Sequence, residues 1–154
     1  MADVSYDSVM DVTLSWDRLK STPNYQDAAG EFIFLRLFEL VPSAKQTFKF
    51  KEGEDVRSNP LFSKHARSMV DMIDCAVGFL GPDLDPLTED LMELGQRHIQ
   101  YGVQEDFLPH MGTALKYALE KVLVSKIDKN ELESWTAVLG FIISKMTLGM
   151  QKKA

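Results

Sequence analysis

The sequence predicts a single all-α domain spanning residues 1–154. Turn-forming residues divide the chain into blocks in which apolar residues recur every three or four positions, the spacing of one face of an α-helix. No Asn-Gly or Asp-Gly turn joins two alternating runs, so the sequence gives no support to β-hairpins. The length is typical of one domain, and 45% hydrophobic residues suffice for a core. We therefore expect six to eight helices with short links and no strands.

Proline, glycine and polar residues mark the breaks between the predicted helices. Val41 precedes a proline and closes the second block, because that position resists the helical conformation. Ser58 or Asn59 is expected to cap the helix that has Pro60 in its first turn. Pro109 is expected near the N-terminal end of a helix or at a kink. In chain order, the breaks lie at 21–24, 41–43, 51–59, 81–86, 102 and 125–130.

Charge and composition exclude several classes of protein. The formal net charge of −6 argues against nucleic acid and against an anionic membrane as the main partner. The N-terminus does not resemble a signal peptide, and every apolar run ends well short of about 18 residues. We expect a cytoplasmic protein, either a monomer or a homodimer.

Cys75 is the single cysteine, which excludes an internal disulfide, and we expect it to be a small core residue.

Two of the three histidines lie in register with apolar stripes. His65 follows Phe62 by three positions and precedes Met69 by four, and His98 follows Leu94 by four. A buried imidazole must find a hydrogen-bond partner, so a single such residue is usually a core histidine bonded to the backbone. Two of them on separate helices, each among large apolar residues, favour a cofactor pocket instead.

The available donors favour haem over zinc as that cofactor. A zinc site needs three or four ligands from Cys, His or carboxylates, and the motifs CxxC, HxxxH and HExxH are absent. Cys75 lies ten positions from His65 and off the same helical face. Haem brings four nitrogen ligands of its own and needs one or two imidazoles in an apolar pocket. The two in-register histidines meet that need.

Three spaced motifs resemble the globin family. They are FIFLRLFELVPSAKQTF, NPLFSKHARSMVDMIDCAV and LMELGQRHIQYGV, in that order along the chain. The pattern LxxLGxxHxxxGV is similar to neuroglobins and plant non-symbiotic haemoglobins, and VPSAKQTF and NPxxxxHA are equally similar to cytoglobins. The resemblance covers nearly the whole chain. It implies a globin fold of six to eight helices packed around a pocket for haem b.

The resemblance also implies roles for individual residues. His98 resembles the proximal histidine that binds the iron, and His65 resembles the distal histidine, which hydrogen-bonds a gas molecule or binds the iron itself. Phe48 resembles the phenylalanine that stacks on the haem, and Phe34 a distal-pocket phenylalanine. Met69 stands where the family usually has valine. The other positions that match the pocket lining are Leu94, Val103, Leu108, Met111, Leu139 and Ile142.

Basic residues near the pocket rim are candidates to meet the haem propionates. They are Lys49, Lys51 and Arg97, and no specific pair is expected. Ser68 stands where neuroglobins have a lysine, which removes the basis for a rim contact at that position. His110, the third histidine, is expected on the surface.

The resemblance implies reversible binding of oxygen, as in oxygen transport, and of nitric oxide and carbon monoxide. One alternative is nitric oxide dioxygenase or nitrite reductase activity. Since the chain has no GxGxxG motif, its electrons would come from an external reductase. Another is a hexacoordinate gas or redox sensor, in which gas displaces His65 from the iron. A helical protein without haem that shares only the architecture is the remaining alternative.

Overall fold

The computed structural model describes residues 4–47, 49–51, 53–80, 84–100 and 102–151. Those ranges contain helices and no strand, so the predicted all-α class is confirmed. Two short 3₁₀ turns, Val56–Ser58 and Val124–Lys126, supplement the α-helices. In chain order these are α1 Tyr6–Lys20, α2 Tyr25–Leu40, α3 Ala44–Thr47, α4 Pro60–Gly78, α5 Asp85–Gln100, α6 Phe107–Leu123 and α7 Lys129–Gln151.

Helix boundaries follow the capping and proline signals of the sequence. Of the two candidates for the α4 cap, Asn59 fills the role, because its side chain accepts a hydrogen bond from the Leu61 N–H at 2.9 Å. Pro60 occupies the first turn of α4, and Pro109 that of α6. The break expected at 81–83 falls outside the described residues.

The core forms where α2 packs against α4 and α6, and where α7 packs against α1 and α5. Trp16 of α1 and Trp135 of α7 are both 1% exposed, and their ring centroids lie 5.9 Å apart. The Trp135 Nε1–H donates to the Oγ of fully buried Ser15 at 2.7 Å. This hydrogen bond gives the buried indole N–H of Trp135 the partner that it needs inside the core. The two tryptophans therefore pack α1 against α7 without an unpaired polar group on Trp135.

The crossing of α2 and α4 depends on a glycine. A β-carbon at Gly30 would lie 2.7 Å from the Cβ of Ala66 and 2.9 Å from its carbonyl oxygen, closer than real β-carbons approach. Arg67 and Asp27 form a two-pronged ion pair beside this crossing, with both N···O distances 2.8 Å. Because His65 immediately precedes Ala66, the crossing holds that histidine close to α2.

The expectation that Cys75 is a core residue is wrong, because its side chain is exposed. The buried apolar residues of α4 are Phe62, Ala66, Val70 and Val77, which fall on one face of the helix. At about 100° per residue, position 75 lies roughly opposite the centre of that face.

Within the described residues, no helix combines the length and the apolar character needed to cross a bilayer.

Candidate functional site

A cavity of about 700 Å³ lies among α2, α4, α5, α6 and α7. This volume is in the range of cofactor and ligand sites. Phe48 lies outside the described residues, so its predicted place in the pocket stays a prediction. Every other residue proposed to bind iron or to line the pocket lies in the wall of this one cavity: Phe34, His65, Met69, Leu94, His98, Val103, Leu108, Met111, Leu139 and Ile142.

His98 reaches the cavity from α5 with its ring held by the backbone. Its Nδ1 lies 2.7 Å from the carbonyl oxygen of Leu94, one turn earlier in the helix. Since a carbonyl oxygen only accepts hydrogen bonds, Nδ1 is the donor in this contact, and the contact fixes the orientation of the ring. A ring N–H bonded to a backbone carbonyl is the usual arrangement of a histidine that binds a metal through its other nitrogen.

His65 reaches the same cavity from α4. Its ring is half-buried and stands edge-on to Phe50, with centroids 6.2 Å apart and ring planes at 86°. Burial lowers the pKa of His65, and the nearby Lys64 ammonium adds to the effect. At neutral pH the imidazole is therefore uncharged, the form that can bind a metal or share a proton with a ligand. Sequence analysis missed Phe50, since its contact with His65 depends on the path of the chain after α3.

The charged residues that line the cavity are Lys49 and Arg97, and among the described residues no Asp or Glu lines it. Lys51, the third basic candidate, is not part of the lining. Lys49 has a left-handed backbone with φ of 65°, which is uncommon for a residue other than glycine. Ser68 reaches the lining but brings no charge. The charged side chains of this mostly apolar pocket are therefore positive.

Several lining residues were not selected from the sequence. On α7, Trp135, Val138 and Met146 share a face with the predicted pair Leu139 and Ile142, and all line the cavity. Helical spacing places them together, but the same spacing is typical of an ordinary core. The other unpredicted apolar residues are Leu37, Met72, Ile73, Ala76, Val77, Leu91, Phe107, Leu115 and Ile143.

Comparison with known proteins gives consistent matches over most of the chain. A family model described as Globin matches residues 31–146. Neuroglobin from Danio rerio is 30% identical over 127 residues, which cover 80% of this chain and 79% of that protein. Neuroglobin from Tetraodon nigroviridis is 29% identical over 144 residues, with coverages of 90% and 87%.

Two solved structures are similar along nearly their whole length. The crystal structure of a hexacoordinated heme protein from an anhydrobiotic tardigrade has a TM-score of 0.83 at 24% identity, covering 96% of both chains. A Drosophila melanogaster globin has a TM-score of 0.77 at 19% identity, covering 92% of both chains. These values establish a shared fold.

Proposed function

The chain belongs to the globin family and has the all-α globin fold, and from this premise we propose that it binds haem b and, through it, oxygen reversibly. Nitric oxide and carbon monoxide are the other ligands proposed. The observation that supports the proposal is the state of His98 in the cavity. Its Nδ1–H donates to the Leu94 carbonyl, so a bond to iron would be made through Nε2.

The residues of the cavity suit haem, a flat apolar ring system with two propionates at one edge. Apolar side chains from five helices would bury the ring, contributing about 25 cal/mol per Å² of apolar surface. Lys49 and Arg97 would complement the two carboxylates, and no described acidic side chain in the lining would oppose them. His98 would supply the imidazole that haem requires, and His65 could supply a second one.

When bound, haem supplies an iron that accepts an axial imidazole and reversibly binds a diatomic gas. His98 would hold the iron through Nε2, and the Leu94 carbonyl orients the ring and would raise the basicity of that nitrogen. His65, uncharged because burial lowers its pKa, offers a gas molecule an N–H or offers the iron its lone pair. Apolar neighbours such as Phe34 and Met69 keep water and protons out, which protects the ferrous state.

A second candidate function is sensing by exchange of the sixth ligand. One observation favours it: His65 lines the same cavity as His98, where burial lowers its pKa and so favours the uncharged imidazole. An incoming gas would then compete with His65, and the position of α4 would report the outcome.

For turnover of nitric oxide or nitrite we propose a separate reductase in the cytoplasm as the electron donor.

The variant His65→Leu tests the role of the distal imidazole. A charge-assisted hydrogen bond to oxygen is worth about 1.5–3 kcal/mol, so oxygen should leave the variant about ten- to a hundredfold faster in stopped-flow measurements. The ligand-free ferrous spectrum should show one broad band in the variant. A sharply split low-spin band in the unaltered protein would assign His65 as sixth ligand.

The matched control is Met69→Leu, which alters the same wall of the cavity one turn later and keeps both imidazoles. We expect the control to resemble the unaltered protein in spectrum and to release oxygen within a fewfold of its rate. Equal oxygen release from His65→Leu and the unaltered protein, with equal ferrous spectra, would exclude a distal role for His65.

A further inference from the structure

The backbones of α5 and α7 meet at two reciprocal contacts. A β-carbon at Gly95 of α5 would lie 2.0 Å from the carbonyl oxygen of Met146, and one at Gly149 of α7 would lie 2.0 Å from that of Met92. On each helix the methionine precedes the glycine by three positions. The two helices therefore contact each other through one turn of each, with the glycine of one helix against the methionine carbonyl of the other. Both distances are far below any approach that a real β-carbon makes.

The atoms that oppose these glycines belong to backbone and not to flexible side chains. A larger residue at either position therefore has no rotamer change available to relieve the overlap, and the helices themselves must separate or shift. Both glycines are buried at this contact. The separation of α5 and α7 is thus fixed by the absence of two side chains.

The contact at Gly95 lies beside the group that orients His98. Leu94, its immediate neighbour, provides the carbonyl oxygen that accepts the His98 Nδ1–H at 2.7 Å, and His98 itself follows one turn later. Leu94 and His98 line the cavity from α5, and Ile142 and Met146 line it from α7. A change in helix separation therefore moves the imidazole relative to the opposing wall.

We propose that Gly95 and Gly149 are positioning residues, which set the place of the His98 imidazole in the cavity by letting α5 and α7 touch. The inference rests on the proposed function, because the position of His98 matters through its bond to iron. The distal helix α4 is held by another contact, that of Gly30 with Ala66, so the glycine pair acts on the His98 side of the site.

The test compares Gly95→Ala with Gly140→Ala by resonance Raman spectroscopy of the ferrous protein just after photolysis of carbon monoxide. Gly140 is the matched control because an added β-carbon there meets no atom within 4 Å, while its gain in helix propensity is the same. We expect the iron–histidine stretching band to move to lower frequency in Gly95→Ala only. Haem should also leave Gly95→Ala at least threefold faster than the control.

An iron–histidine band and a haem-loss rate equal to those of Gly140→Ala would overturn the inference and leave the proposed function intact. Absence of the band from the unaltered protein would overturn both. Should circular dichroism show that Gly95→Ala does not fold, Gly149→Ala decides, because Gly149 lies in the last turn of α7, which can yield. We expect a smaller shift of the same sign there, and a band identical to the control would overturn the inference.

Discussion

The variant His98→Gly is expected to lose haem on the order of a hundredfold faster than the unaltered protein, since it lacks the proposed axial bond. The substitution also removes the side-chain donor to the Leu94 carbonyl, which keeps its place in the hydrogen-bonded backbone of α5. Added free imidazole should enter the vacated space and restore much of the Soret spectrum. Transfer of haem to an excess of an acceptor protein, followed by absorbance, measures the rate.

The control for this substitution is His110→Ala. His110 lies exposed on α6 and does not line the cavity, as expected from the sequence, so its removal tests the loss of a histidine without the loss of an axial ligand. We expect haem retention and spectra equal to those of the unaltered protein. Equal retention in His98→Gly, with no response to imidazole, would exclude His98 as the iron ligand.

Trp135→Ala should lower the free energy of unfolding by about 3–5 kcal/mol, the range for removing a large aromatic side chain from a core. Trp135 is 1% exposed, contacts Trp16 and donates to Ser15, so its loss leaves a void and removes one hydrogen bond from the Ser15 hydroxyl, which still donates to the Asp11 carbonyl. For a chain of this length each kcal/mol shifts the melting temperature by roughly 2–4 °C. A drop of about 10 °C is therefore expected in thermal melts followed by far-ultraviolet circular dichroism.

Leu148→Ala is the comparison for that experiment, since Leu148 lies on the same helix with 37% of its surface exposed. Its removal should cost under about 1 kcal/mol. If Trp135→Ala has the same melting temperature as Leu148→Ala, the contact between α1 and α7 does not stabilise the core as proposed.

The histidines were the part of the site most visible in the sequence. A polar residue inside an apolar helical stripe can be recognised from the sequence alone. Both residues found in this way, His65 and His98, line the cavity. The apolar lining was only partly visible, because Trp135 and Met146 follow the same helical period whether they face a pocket or a solid core. Cys75 was expected in the core because cysteine is usually a small buried residue, but it lies opposite the buried face of α4.

The helix contacts that hold the site in place depend on tertiary structure. In the sequence, Gly95 is a glycine inside a helical block, a position that ordinarily costs stability. Only the folded structure shows that a β-carbon added at Gly95 would lie 2.0 Å from the carbonyl oxygen of Met146. In the same way, the two cations of the rim could be named from the sequence as candidates, but the fold selects Lys49 and Arg97 and leaves Lys51 out.

The most direct test of haem binding in the cavity is a titration of the haem-free protein with haemin, followed in the Soret region. We predict a rise that ends sharply at one haem per chain, with the spectrum of an iron bound by histidine. A gradual rise without an end point, or the same curve for the unaltered protein and for His98→Gly, would contradict the proposal that this globin binds haem through His98.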